Sequence, residues 1–254
     1  MQTRVAVIFD MDGVLVDSAE AHRLAWQQLG LEVGTPFTTA LFQQTFGQRN
    51  ASIIPVWLGP AASVISMDRS RWSLGASQSD RLLGTGGTLE LTPERIDALA
   101  ARKETLYREL VRHGAIRVYP GVSPLLRELR ALGARVAVAS SGPRENVSLV
   151  LDSIGVQGTF DATVTSEDVV EGKPHPEVFL KAAGRLGVAP VSCAVIEDAV
   201  HGIEAAKRAG MLAVAVLTST ARAVLLAAGA DLIVDDVGAL HAGELVSRLA
   251  ARGA

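Results

Sequence analysis

The run Val5-Ala6-Val7-Ile8-Phe9-Asp10-Met11-Asp12-Gly13 sets two carboxylates one residue apart at the end of an apolar stretch, with a glycine directly after them. In extended chain the side chains at i and i+2 point the same way, so Asp10 and Asp12 share one face. Gly13 lets the backbone turn away behind them. Two like charges this close repel, and a divalent cation is the simplest way to keep both ionised. One reading is therefore a metal-assisted acid pair. The others are a calcium loop and a solvated strand end. The calcium loop fails, because Gly13 comes two positions too early and no Glu closes the twelve-residue frame. The solvated strand end stays open on this segment alone.

Three other places along the chain supply complementary groups. The run Val136–Ala139 delivers Ser140, followed by Ser141 and Gly142, whose hydroxyls and N–H groups suit phosphate oxygens. Glu171-Gly172-Lys173-Pro174-His175-Pro176 is a prolyl loop presenting one lysine, which could neutralise a nucleophile and a transferring phosphoryl group. Cys193–Ile196 delivers a second acid pair, Glu197-Asp198. Singly, each has an ordinary alternative as a helix cap, a surface loop or a solvated acid. Together, each following an apolar strand or the loop between two, they point to phosphoryl transfer.

Such residues need an element order that brings strand ends together. Short β-branched runs alternate with helical patterns, which predicts a doubly wound, Rossmann-like α/β core with a parallel sheet covered on both faces. Strands are expected at Val5–Phe9, Arg135–Ala139, Cys193–Ile196, Ala213–Leu217 and Leu232–Val234. Ser123-Pro124 opens a helix that Gly133 stops, and Gly202–Ala209 closes on Gly210. Ligands of open α/β sheets bind beyond the carboxyl ends of the strands, where the acids fall. From Ser18 to Arg117 the rhythm is helical throughout, which predicts a helical domain (18–117) inserted into a core of 1–17 and 118–254, with hinges near Asp17 and near Val118-Tyr119-Pro120-Gly121. Within it, Gly59–Leu91 is rich in Ser and Gly and reads as a mobile insertion. Its Gly84-Thr85-Gly86-Gly87 matches neither a Walker A nor a dinucleotide fingerprint.

Bulk properties narrow the function. Hydrophobic residues make up 48%, charged ones 20% and aromatics 4%, giving an aliphatic core, and the net charge of −3 argues against a nucleic-acid or anionic-membrane surface. No apolar run approaches the roughly 20 residues a membrane helix needs. The single cysteine, Cys193, lies in an apolar strand and reads as a core thiol. A cytoplasmic enzyme acting on a small phosphorylated metabolite, as a monomer or weak homodimer, is the expectation.

The set Asp10-Met11-Asp12-Gly13, Ser140, Lys173-Pro174 and Glu197-Asp198 resembles the haloacid dehalogenase superfamily, over residues 5 to about 240. The resemblance implies that Asp10 attacks phosphorus to give an aspartyl-phosphate, with Asp12 as acid and then base. It implies Mg2+ held by Asp10, the Asp12 backbone carbonyl and Asp198, with Glu197 adjacent, and phosphoryl oxygens held by Ser140 and Lys173. The helical insertion after the first motif resembles the C1 cap of the β-phosphoglucomutase and sugar-phosphate phosphatase branch. There Ser18 is a natural N-cap for a helix carrying His22 and Trp26 on one face, and Gly47-Gln48-Arg49-Asn50 resembles a substrate loop with Arg49 as its cation. The stripe Ile96, Leu99, Lys103, Leu106, Leu110 puts Lys103 where a hydrophobe belongs, so Lys103 either snorkels to solvent or reaches a substrate. His22 read without the resemblance is a surface histidine. The run Ser140-Ser141-Gly142-Pro143 is closer to sugar- and polyol-phosphate phosphatases than to the mutases. This favours a phosphatase over a β-phosphoglucomutase, and both over a phospho-accepting regulator or a binding module.

Overall fold

The computed structural model describes residues 4–59 and 91–253. Almost all of the expected insertion therefore lies outside the described residues. In chain order the elements are β1 (Ala6–Phe9), β2 (Val16–Asp17), α1 (Ala19–Val33), α2 (Thr39–Thr45), α3 (Asn50–Leu58), α4 (Pro93–Arg112), β3 (Arg117–Val118), α5 (Val122–Ala131), β4 (Arg135–Ala139) and α6 (Arg144–Ser153). There follow β5 (Ala162–Val164), α7 (Glu177–Leu186), β6 (Cys193–Glu197), α8 (Val200–Arg208), β7 (Leu212–Val216), α9 (Arg222–Ala227), β8 (Leu232–Val234) and α10 (Ala242–Arg252). The chain divides into two compact units, Met1–Ser18 with Ile116–Ala254, and Ala19–Ala115.

The first unit is built on one parallel sheet in the order β5-β4-β1-β6-β7-β8. The first strand of the chain is thus internal, with β4 and β6 as neighbours. Its register sets Phe9 against both Val138 and Ile196. Asp10 just beyond β1, Ser140 just beyond β4 and Glu197 as the last residue of β6 therefore come to nearly one level at the carboxyl edge.

Residue size explains the packing of this sheet. The face carrying Ala6, Ala137, Ala139, Ala213 and Ala215 is made of small side chains, so α7 and α8 lie close to it and Phe179 fills the space between. The opposite face carries α5 and α10. A core built this way needs few aromatics, in keeping with the composition.

The five expected strands are present, with shifts of a residue at their ends. A sixth, β5, was not expected. Ala162-Thr163-Val164 is three residues long and owes its extended form to pairing with β4, a long-range cause that leaves no local period. Likewise β2 and β3 pair antiparallel, Val16 with Val118 and Asp17 with Arg117, where the chain passes between the two units. Two residues per strand are too few for a pattern.

The second unit holds α1–α4. Its apolar centre is aromatic: Trp26 stacks on Phe37 with centroids 4.7 Å apart, and Trp57 meets both rings edge-on. Arg102 forks onto the buried Glu32 at 2.8 and 2.6 Å, tying α4 to α1. Among the described residues, no helix is long and apolar enough to cross a membrane.

Polar ties also hold the first unit together. Thr165 and Asp168 cap each other's backbone, and the Asp168 carboxylate takes Arg185 of α7 at 2.6 Å and Arg144 of α6 at 3.1 Å. The Arg185 hydrogen bond, with the capping bonds, holds Asp168 well below the usual carboxylate range. A depressed folded-state pKa gives stability that is present above the unfolded value, near 4, and is lost as pH falls below it. Asp168→Asn should therefore lower stability at pH 7 by about 1–2 kcal/mol in urea unfolding. The difference from wild type should shrink as pH falls below about 4; a difference that stays constant with pH would contradict this account.

Candidate active site

The site is assembled at the carboxyl edge of β1, β4 and β6. The Asp10 N–H donates to Ile196 O at 3.0 Å, so the first residue beyond β1 continues the ladder to β6. Its carboxylate is buried and accepts from Lys173 Nζ at 2.5 Å, and the same ammonium donates to Glu197 Oε1 at 2.7 Å. Lys173 precedes Pro174 through a cis peptide bond. Its loop is closed by Glu177, whose Oε2 accepts from the N–H groups of Val170 and Glu171 at 3.0 Å each. Those hydrogen bonds, with Lys181, hold the Glu177 carboxyl down to about 2.

Glu197 uses its second oxygen on the backbone, with Oε2 accepting from Asp198 N and Ala199 N at 2.8 Å. Both oxygens are thus engaged in fixing Lys173 and the turn after β6. Asp198 is different. It is 3% exposed, and its Oδ2 has no hydrogen-bond partner among the described residues. An orphaned buried carboxylate oxygen is costly unless something cationic reaches it.

Asp10, Glu197 and Asp198 each place a carboxylate oxygen within 4.8 Å of the other two. Burial pushes Asp10 up to about 7 against the pull of Lys173, and pushes Asp198 well above its ordinary value. Burial opposes the charge on Lys173 as well, but Asp10 and Glu197 more than offset it and hold the ammonium protonated. The donor set is all carboxylate oxygen, the choice of a hard divalent cation such as Mg2+ rather than a thiophilic metal. Orphan oxygen, hard donors and excess negative charge all fit such an ion. Asp10 and Asp198 are the better side-chain ligands, whereas Glu197 is better placed as a support, which shifts its expected role.

The turn after β1 is shaped around this cluster. Gly13 has φ +79°, and a Cβ there would lie 1.9 Å from Asp198 Oδ2, so the glycine is required by conformation and by space. Asp12 Oδ1 accepts from the buried Ser18 hydroxyl at 2.5 Å. The serine expected as an N-cap thus also orients the second acid. On the β4 side, Ser140 Oγ is buried and accepts from Gly142 N at 3.0 Å, with Ser141 half-buried between them.

In the helical unit, Lys103 does not snorkel. It is 2% exposed, with Nζ 2.7 Å from His22 Nδ1 and 3.0 Å from Glu104 Oε1, and 5.6 and 5.3 Å from the ring centroids of Trp26 and Tyr107. His22 stacks on Tyr107 at 4.0 Å. Asn50 Nδ2 donates to Glu104 Oε1 at 2.5 Å, and Arg49 is half-buried at the N-cap of α3. Trp26, like Lys103, is 2% exposed, and it packs within its aromatic cluster with its ring centroid 5.6 Å from Lys103 Nζ.

Residues 5–210 match the model of the haloacid dehalogenase-like hydrolase family. The chain is 33% identical over 212 residues to a β-phosphoglucomutase of Bacillus subtilis, covering 83% of this chain and 82% of that protein. It is 28% identical over 206 residues to a phosphorylated carbohydrates phosphatase of Thermotoga maritima, covering 81% and 82%. Among solved structures, a β-phosphoglucomutase from Clostridium difficile superposes with a TM-score of 0.77 at 26% identity, over 97% of each chain.

Gly202 shows how tightly the site is built, and sequence reasoning gave it no role there. It sits in α8 with its Cα against Glu197, and a Cβ would fall 1.8 Å from Oε1. Gly→Ala inside a helix ordinarily stabilises by up to about 1 kcal/mol. Gly202→Ala should instead destabilise by about 1–3 kcal/mol, since Glu197 and then Lys173 must shift. Gly184→Ala in α7, where a Cβ meets nothing within 4 Å, is the control and should be neutral or stabilising. Equal unfolding midpoints for the two variants would refute the close fit.

Proposed function

The chain belongs to the haloacid dehalogenase-like hydrolase family, and we propose that its reaction is the metal-dependent hydrolysis of a small phosphorylated sugar or polyol through an aspartyl-phosphate. The observation that carries this reading is the buried Asp10 carboxylate gripped by Lys173, beside Asp198 and next to Ser140 on the adjoining strand. A carboxylate placed this way is a nucleophile with its counter-charge already in position.

A carboxylate oxygen of Asp10 attacks phosphorus, and the P–O bond to the sugar breaks as Asp12 gives its proton to the departing oxygen. Water then attacks the aspartyl-phosphate, Asp12 takes back a proton, and phosphate leaves with Asp10 regenerated. Lys173 and the Ser140 hydroxyl hold the non-bridging oxygens throughout. Ser18 aims Asp12. Asp10, Asp198 and the Asp12 carbonyl would hold Mg2+, which when bound supplies neutralisation of the phosphoryl charge. In the helical unit, Arg49, His22 and Lys103 remain the proposed contacts for a further hydroxyl or anionic group of the substrate. The lone buried thiol is consistent with the cytoplasm.

A second reading, β-phosphoglucomutase, draws on the Bacillus subtilis relative. The two share the first half-reaction and differ in whether water or a second sugar hydroxyl accepts the phosphoryl group. Phosphate release from a panel of sugar and polyol phosphates, alongside a coupled assay for conversion of β-glucose 1-phosphate to glucose 6-phosphate, separates them. Release from several substrates without isomerisation supports the phosphatase; isomerisation without release replaces it with the mutase. Asp10→Asn should fold normally and lose at least about 10³-fold in turnover, and EDTA should silence the wild type until Mg2+ is restored. Turnover retained in the asparagine variant would remove Asp10 as the nucleophile.

A further inference from the structure

The two halves of the acid cluster belong to different loops, the turn after β1 and the turn after β6, yet Gly13 and Asp198 are in direct contact. A third loop grips both. Just beyond β7, Thr218 Oγ1 donates to Gly13 O at 2.5 Å, and the adjacent Ser219 Oγ donates to Asp198 O at 3.1 Å. That dipeptide is itself anchored, because Leu217 N donates to Val234 O and Asp235 O at 3.1 Å. In the sheet, β6 lies between β1 and β7. Thr218 therefore reaches past the end of β6 to the turn of β1. The far side of each peptide is held as well: Gly13 N donates to Val16 O at 2.8 Å, and Asp198 N to Glu197 Oε2 at 2.8 Å. Thr218 also lies beside the half-buried Tyr119, whose phenol is pushed up to about 12 mainly by burial and by the Asp17 charge.

We propose that Thr218, with Ser219, is a positioning residue that fixes the Gly13 turn against Asp198 and thereby sets the affinity of the carboxylate cluster for its divalent cation. The inference rests on the reading of Asp10 and Asp198 as metal ligands. A cation between two loops is held only as well as the loops are held to each other, and each ligand's orientation depends on the hydrogen bonds behind it. Thr218 Oγ1 bonds the carbonyl behind the turn and Ser219 Oγ the Asp198 carbonyl, with Ser219 also lowering the Asp198 carboxyl by a hydrogen bond, so their effect falls on metal affinity rather than on the chemical step.

Thr218→Val keeps the shape and removes the hydroxyl. Direct Mn2+ binding, followed by electron paramagnetic resonance or calorimetry, should weaken about tenfold, the lower end of what outer-shell changes cost. The Mg2+ concentration for half-maximal turnover should rise in parallel, while turnover at saturating Mg2+ and the unfolding midpoint change little. Thr218→Ser should restore binding. Ser219→Ala, at an exposed position that folding tolerates, should weaken binding about threefold, as for loss of one exposed hydrogen bond. Wild-type Mn2+ affinity in Thr218→Val overturns the proposal, as does wild-type affinity in Ser219→Ala should the valine variant not fold. Asp198→Asn separates the two levels. If it too binds Mn2+ like wild type, the metal-ligand reading fails, whereas if it alone loses binding, only the role of Thr218 and Ser219 fails.

Discussion

Everything at the carboxyl edge of the sheet is organised around a buried ammonium shared by two buried carboxylates. Lys173 Nζ lies 2.5 Å from Asp10 Oδ1 and 2.7 Å from Glu197 Oε1, with both acids and the lysine withdrawn from water. Taking an ion out of water costs several kcal/mol, and attraction repays it only when geometry is tight and remaining lone pairs are satisfied. The chain meets that requirement locally. Glu197 turns its other oxygen to two backbone N–H groups, the prolyl loop is closed by Glu177, and Gly202 clears the space Glu197 occupies. Loosening any of these leaves a buried charge without its partner, which explains why so much of the surrounding structure is devoted to holding one lysine.

The sheet supplies the reference frame. A parallel ladder fixes not only which strands are neighbours but where along them the chain leaves, so the pairing of Phe9 with Val138 and Ile196 determines that Asp10, Ser140 and the Glu197-Asp198 pair emerge side by side. A register slip of one residue on β1 would turn Asp10 to the other face of the sheet. The small-residue packing of α7 and α8 on one face therefore matters to the site, since such a slip would drive Val7 and Phe9 into the close-packed layer that Ala6 and Ile8 now fill.

Much of this was legible in the sequence because it is written in short-range patterns: apolar runs of strand length, acids at their ends, proline and glycine as punctuation. Five of the six sheet strands and the polar residues they deliver could be read that way. What could not be read depends on partners far along the chain. The strand character of β5 comes from β4, the β2–β3 ribbon joins residues about 100 positions apart, and Thr218 meets Gly13 across the width of a strand. The surroundings of Trp26 were hidden for a related reason. Its spacing puts it on the same helical face as His22, but its burial against Phe37 and Trp57 is tertiary and has no local signature. Gly202 had a signal, a glycine four residues after Asp198 inside a helix that would be stabler without it, and only the position of Glu197 gives that signal its meaning.

The two buried lysines show how charge counting separates a metal site from a merely buried ion pair. In the helical unit, Lys103 is matched by the single carboxylate of Glu104, with His22 and two aromatic rings completing its surroundings. The pairing with Lys103, helped by His22 and Asn50, outweighs burial and holds Glu104 below its ordinary range. In the sheet unit, Lys173 faces three clustered carboxylates, and burial raises two of them, Asp10 and Asp198. Were all three ionised, one ammonium would leave two negative charges in excess beside an orphaned Asp198 oxygen. A divalent cation supplies that charge and the missing partner together, and the same cation favours the arrival of a phosphoryl group that would otherwise meet a wall of carboxylate. The cost of ionising the isolated cluster is thus what a bound cation would relieve, and it is the physical basis of the metal and phosphate sites proposed above.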